Sequence, residues 1–495
     1  MTGWIGDFFR FWWALLYWNL RKTWFHLRGA ERDTCPCQNF SDSGHAFDSR
    51  CEAVVHWHKP ARFRRVCPLL TETPEGWRCS VDAERVRPFW GRAGLYFAGT
   101  VLALYLVGTA GAFVVLRAAG YESSYLSVLW PPRWKEFRHA QEQLYATRAQ
   151  KALETGNYQE AILSLEIVCR LNPRNYAAGL ALAGLAQVSA QANVADHIYE
   201  RLMRDVPENR LQTAQIWFRH LLARAAYDRI KPLAAVMLQE DPAQRAAWLN
   251  GLLFSARQTK DAAFLGAVLQ GSPHLPDWCS ELIGIEQLLL QGHLERALPR
   301  LARVHARSES PYLPYYQIDR LIRHDRADRA NELLERYGSR VAPDEAVFLR
   351  LRIFHAKGWT ALLDPEFENL RQFPLTPRLT AQTSAYLISH PDPSRARAFL
   401  DRFVQHGPGL NADSVPYHQA AYLVATLSGH PERAEAIAAG IMKFTASDAR
   451  GLRGLTELLK LKGSDPRLPR ILPLVPLPTE VVYAILERPP PAAAR

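Results

Sequence analysis

The sequence predicts a mainly α protein: a helical solenoid, preceded by one transmembrane helix and, before that, a small Cys-rich N-terminal module. Three observations predict it. From Ala93 to Leu116 no residue is charged, and Arg92 and Arg117 close the run at either end. Five of the seven cysteines, Cys35, Cys37, Cys51, Cys67 and Cys79, crowd into residues 35–79. Beyond the uncharged run, Pro173, Pro207 and Pro242 recur at steps of 34 and 35 residues, each behind a helix-like segment.

Residues 1–28 hold ten aromatics, among them Trp4, Trp12, Trp13, Trp18 and Trp24. On a helix, Asp7, Arg10, Arg21 and Arg28 fall on one narrow stripe while Trp, Phe and Leu fill the rest. Its uncharged middle, Phe11 to Leu20, is too short to span a bilayer, and it lacks the aliphatic core and small-residue cleavage site of a secretory signal. The segment reads as an amphipathic helix at the membrane interface, where Trp-rich faces settle. Packing against the transmembrane helices of a partner is the competing reading.

Residues 29–92 are too few to build a core of their own, so their cysteines imply a staple. A structural zinc ion held by four of Cys35, Cys37, Cys51, Cys67 and Cys79, or by three of them and one of His45, His56 and His58, is one solution. Iron–sulfur ligation, disulfides and free redox-reactive thiols are the others, since the spacing is not that of a paired zinc ribbon. Cys35-Pro36-Cys37 is too tight for an internal disulfide but allows both thiolates to face one metal. Val54–His58 and Trp77–Val81 read as short β-like runs.

Residues 93–117 are long enough to cross the roughly 30 Å of hydrocarbon at 1.5 Å per residue. Small residues at Gly94/Ala98, Gly99/Ala103 and Gly108/Ala112 would let a second helix approach, which points toward self-association. Arg78, Arg85, Arg87 and Arg92 before the span against Arg117, Arg133 and Lys135 after it lean toward a cytoplasmic N-terminus. The expectation is a single-pass bacterial inner-membrane protein with its long C-terminal part periplasmic. Residues 118–138, with Pro131-Pro132, read as a linker.

From 139 to 462 the composition turns to helix-forming Ala, Leu, Arg and Glu. The first unit places Gly156 and Tyr158 in ETGNYQEA, then Ala161, Leu165, Val168 and Pro173; the second keeps Ala195, Tyr199, Leu202 and Pro207. A turn residue followed five positions later by Ala returns at Gly292/Ala297, Asp325/Ala330 and Gly429/Ala434, and more weakly at Pro391/Ala396. The Gly and Ala positions let two helices of a hairpin cross closely, and the proline closes the second helix. This pattern resembles the tetratricopeptide-repeat family, specifically over 146–210 and generically over 211–462. The resemblance implies eight or nine helical pairs stacked with a concave face that holds peptides or partner proteins. An irregular helical bundle is the alternative for the second half. The tail, 463–495, carries eight prolines from Ser464 onward and reads as an extended segment lying over the last pair or reaching a partner.

The 495 residues carry a net charge of +11 with no block of five or six like charges, so the basic balance is a mixed solvated surface and not a nucleic-acid footprint. No H-E-x-x-H, phosphate loop, dinucleotide fingerprint or nucleophile elbow occurs, so no enzyme is expected. His197, His220 and His305 read as exposed helix residues, and Cys169 and Cys279 as core. The expected role is a membrane-anchored interaction scaffold, a subunit or assembly factor of a membrane complex. A transmembrane metal or redox sensor built on the Cys cluster is the alternative.

Overall fold

The computed structural model describes residues 70–74, 76–79, 90–121, 124–189, 191–303, 310–445, 450–461 and 465–488, with positions 9, 12, 13, 16, 19, 20, 23, 24 and 27. The chain divides into two compact units, Met1–Leu144 and Tyr145–Arg495.

In the first unit, positions 9 to 27 that are described are helical. Strands β1 (Leu70–Thr73) and β2 (Gly76–Cys79) pair antiparallel, with Leu70 opposite Cys79 and Thr73 opposite Gly76. Helix α1 (Trp90–Ala118) contains the stretch Gly94–Ala118, which is long and apolar enough to cross a membrane, and its apolar window is not buried by the rest of the chain. A Cβ on Gly94, Gly99, Gly108 or Gly111 would meet nothing within 4 Å. Trp12 meets Phe97 in a tilted contact with ring centroids 4.5 Å apart, so Trp12 touches the chain's own apolar helix.

The stretch read as a linker is structured. Ser124 Oγ accepts from the Ser127 N–H at 3.3 Å and opens α2 (Tyr125–Leu129), and a 3-10 turn at Pro131–Arg133 leads into α3 (Trp134–Glu154). Helix α2 folds back on α1: Tyr105 Oη donates to Leu129 O, and Phe113 meets Tyr125 edge-on at 5.6 Å. Trp130 and Leu126 stay exposed beside it.

The second unit is a solenoid-like array of paired helices. After α3 come α4 (Tyr158–Leu171), α5 (Tyr176–Val188), α6 (Ala192–Asp205), α7 (Arg210–Ala223), α8 (Tyr227–Glu240), α9 (Arg245–Thr259) and α10 (Ala262–Gly271). The series continues with α11 (Asp277–Leu290), α12 (Leu294–Leu301), α13 (Tyr312–Arg323), α14 (Ala327–Tyr337), α15 (Pro343–Lys357) and α16 (Thr360–Glu368). It closes with α17 (Pro377–Ser389), α18 (Pro393–His406), α19 (Val415–Leu427) and α20 (Pro431–Thr445). Among the described residues that makes nine pairs, and the same packing persists through 445, so the second half is not an irregular bundle.

One local device makes the pairs. In seven of the nine pairs the odd-numbered helix ends in a left-handed residue: Gly156 (φ 73°), Ala225 (53°), Lys260 (53°), Gly292 (80°), Asp325 (58°), Gly358 (68°) and Gly429 (79°); α5 is capped by Ser189 (φ −78°) and α17 by His390 (φ −129°) instead. The N–H of the following residue reaches back to a carbonyl five positions earlier, as Asn157 to Ala152 at 2.8 Å and Trp359 to Phe354 at 2.8 Å, which satisfies the orphan carbonyls of the helix end. Five residues beyond the left-handed position a side chain points into the pair: Ala161, Ile230, Leu265, Ala297, Ala330, Leu363 and Ala434 are all buried. Closeness is enforced elsewhere too, because a Cβ on Gly179 would lie 2.7 Å from Leu202 Cδ2.

Consecutive pairs are pinned by charge as well as by apolar packing. Trp217 Nε1 donates to the buried Asp196 Oδ1 at 2.7 Å, and Arg224 pairs with the same carboxylate. Lys231 Nζ reaches Asp261 Oδ2 at 2.6 Å between pairs, and within the α7/α8 pair Arg210 clasps Glu240 through two bonds of 2.7 and 3.0 Å. The tail does not run extended. After α21 (Arg450–Lys460) it forms α22 (Leu468–Ile471), a 3-10 turn at Leu472–Leu474 and α23 (Thr479–Leu486).

A left-handed conformation costs an L-residue about 1–2 kcal/mol, partly offset by the larger entropy a glycine loses on folding. Ala225→Gly and Lys260→Gly are therefore expected to stabilise the protein by about 0.5–1 kcal/mol, while Gly179→Ala destabilises it by about 1–3 kcal/mol through overpacking on Leu202. Thermal denaturation of the three variants against the parent chain checks both signs.

Candidate functional site

The odd- and even-numbered helices differ in how much of their circumference is buried. An even helix such as α14 buries one stripe, Ala330, Leu333, Leu334 and Tyr337. Helix α9 instead buries Trp248, Leu249 and every residue from Gly251 to Ala256, and α17 buries Leu379–Ala381, Thr383, Ser384 and Tyr386–Ile388. A helix buried all round has a neighbour on every side. For α5, α7, α9, α13 and α17 one such neighbour is the C-terminal segment.

The main contacts of residues 468–488 with the array fall on odd-numbered helices. The turn Leu472–Leu474 packs on α5 and α7, and α23 packs on α7 and, most extensively, on α17. Tyr483 meets Phe254 of α9 edge-on at 4.8 Å, and on the same helix the missing side chain of Gly251 leaves space for Phe218 of α7, 2.5 Å from where a Cβ would stand. Glu487 ion-pairs with Arg323 of α13 and lies 3.8 Å from Arg257 Nη2 of α9. Leu468, Leu472, Val475, Val481, Val482 and Ile485 are buried, and Val481, Val482 and Ile485 share one face of α23. The inner face of the array is thus a groove already holding an eight-residue helix.

Under Glu487 lies a network of ionised side chains. Arg257 Nη1 sits 3.2 Å from Glu286 Oε2, which also accepts from Tyr316 Oη at 2.5 Å. Asp319 accepts from Arg320 Nη2 at 2.5 Å, from Arg323 Nε at 3.1 Å and from Arg352. Burial alone would push the Asp319 carboxyl up; the guanidiniums of Arg352, Arg320, Arg323 and Arg257 overrule it and hold it well below the usual carboxylate range. Four arginines face Glu286, Asp319 and Glu487, so taking Glu487 away leaves two uncompensated positive charges at the seat. At its edge the His390 ring lies 4.0 Å from His355 and 5.2 Å from Tyr386. Burial first, then the neighbouring His355, Arg352 and Arg395, pushes the His390 imidazole down to about 4.

Of the residues singled out from sequence, Cys35, Cys37, Cys51 and Cys67 lie outside the described residues, as do His45, His56, His58 and His305. Cys79 ends β2, and its side chain lies outside the description too. Cys169 and Cys279 are core residues, with burial raising both thiol pKa values, that of Cys279 to about 12. His197 is exposed as expected, whereas His220 is half-buried, stacked on Tyr199 at 5.9 Å, and its imidazole is pushed down mainly by burial. The groove residues were missed in sequence. Two signals carried them: odd helices that read apolar on all sides, and TEVVYAIL, an apolar octet inside the proline-rich tail. No protein-family model matches the sequence, and no curated protein matches it.

In the unfolded chain an ordinary imidazole takes up its proton near pH 6.5, while His390 in the fold waits until about 4. Between those values the unfolded state binds the extra proton, so stability falls as the pH drops from 6.5 to 4, by up to about 3 kcal/mol for this one group. Urea titrations across that range should show the loss, and His390→Gln should flatten it.

Proposed function

We propose that this protein is a membrane-anchored interaction scaffold, in which a tetratricopeptide-like solenoid holds a segment of a partner protein on its inner face. The observation that carries the reading is that the face already holds a short helix, with Val481, Val482 and Ile485 buried, Tyr483 set against Phe254 and a carboxylate set between Arg257 and Arg323. Such a surface selects a helical peptide by its apolar anchors and by one ion pair. Repeat proteins of this kind bind through their inner faces, and the left-handed turn followed five residues later by a buried side chain, Ala at four of the seven sites, supports the family resemblance.

The anchor in this reading is α1, crossing a bacterial inner membrane with the N-terminus cytoplasmic and the array periplasmic. Trp12, set against Phe97 near the first end of α1, fits an interfacial aromatic. The charged cluster fits holding better than catalysis, because Asp319 is locked in its ionised form and has no proton to exchange near neutral pH.

The test is capture of the affinity-tagged full-length protein from its native membrane after mild cross-linking, with mass spectrometry of what is retained. A stoichiometric protein partner, lost at least severalfold in Arg323→Gln, is the expected result. Recovery of the bait alone under conditions that preserve known membrane complexes would contradict the reading.

A further inference from the structure

The occupant of the groove is part of the same chain, and this has a regulatory consequence. We propose that residues 468–488 are an intramolecular competitor, and that the partner segment they compete with is a short helix of the same chemistry: apolar residues at i, i+1 and i+4 and a carboxylate at i+6. In this chain those positions are Val481, Val482, Ile485 and Glu487. The inference rests on the scaffold reading above and names the ligand class of its groove.

Four features point to an exchangeable occupant. First, α23 is eight residues long, bounded by Pro478 before it and Pro489 after it, and a helix of that length has no stability of its own in water. It is helical because the groove makes it so. Second, its charged contact is reachable by solvent: the side chains of Glu487 and Arg323 are 27% and 35% exposed, so another carboxylate can enter as this one leaves. Third, the helices it packs on keep polar atoms unpaired, since Ser255 Oγ on α9 and Ser384 Oγ on α17 are buried without a hydrogen-bond partner. A ligand that paired them would bind better than the resident segment does. Fourth, the four arginines around Glu286 and Asp319 leave an excess of positive charge once Glu487 departs, so the vacated seat favours an anionic replacement over a neutral one.

Competition within one chain lowers the apparent affinity for an external ligand by the factor to which the internal segment occupies the site. Loosening the internal segment must then raise external affinity by the same factor, without any change in the groove.

The experiment uses the full-length protein in nanodiscs and a fluorescein-labelled peptide of residues 474–490, read by anisotropy. Val482→Ser with Glu487→Ala in the chain alters the competitor and leaves every groove residue intact. The chain carrying both changes is expected to bind the peptide at least tenfold more tightly than the parent chain, and a peptide carrying Glu487→Arg is expected to lose at least tenfold on either. Equal affinity of a folded variant and the parent would overturn the proposal and make the segment a permanent part of the core.

A second measurement needs no variant. Hydrogen exchange of the parent chain at the amides of Val481 to Glu487 should speed up severalfold when the unlabelled peptide is added in excess, while the amides of α9 and α17 keep their protection. Unchanged exchange at saturating peptide would overturn the proposal equally. If the membrane partner is captured but the peptide neither binds nor displaces, the scaffold reading stands and this inference fails. If the peptide displaces the segment and no partner is ever captured, the failure lies with the scaffold reading.

Discussion

Stacking helical pairs in a curved array leaves the odd-numbered helices with a face that no other pair can reach. In this protein that face is covered by apolar contacts: Phe254 on α9 meets Tyr483, and α7 and α17 pack on α23, whose Val481, Val482 and Ile485 are buried. Residues 468–488 lie over it, and the rest of the second unit depends on that cover. The dependence is mutual. Removing the segment would expose apolar surface on helices from α5 to α17, and the segment itself is too short to keep its helices outside the groove.

Charge sets the register of that cover. Apolar contacts alone would let an eight-residue helix slide or rotate, since Val481, Val482 and Ile485 offer similar packing in neighbouring positions. Glu487 has two guanidiniums within reach, Arg257 and Arg323, contributed by two helices that belong to different pairs. The buried pairs beneath are costly to desolvate and are offset by their partners: Glu286 has Arg257 and the Tyr316 hydroxyl, and Asp319 has Arg320, Arg323 and Arg352. This arrangement fixes where the carboxylate of any occupant sits and gives the groove a preference by charge as well as by shape.

The apolar run that becomes α1 and the pairs marked by glycine were legible in the sequence because both rest on local rules. Twenty-four uncharged residues allow few alternatives, and Gly156, Gly292 and Gly429 stand where the backbone turns left-handed. The pattern faded at Ala225 and Lys260, which adopt the same conformation without being glycine, and at Ile230 and Leu265, where the pocket after the turn takes a larger side chain. Tertiary packing offsets the local strain there, so the repeat persists in space after it has dissolved in sequence. The groove was not legible. Nothing local says that Glu487 will meet Arg323 across 164 positions, and a proline-rich tail reads as extended until one sees that TEVVYAIL has a row of buried helices to lie against. The stretch 118–138 carries more local structure than its prolines suggest: Ser124 caps a short helix that α1 holds through Tyr105 and Phe113.

The seat of α23 is the central claim, and its most direct test is chemical accessibility at one buried position. Ile485→Cys in the otherwise unaltered chain, labelled with a maleimide in native membranes and located by mass spectrometry, should react at least tenfold more slowly than a cysteine placed at the exposed Val404, and denaturant should remove the difference. Equal labelling of the two positions in the folded protein would show that the C-terminal helix lies outside the groove.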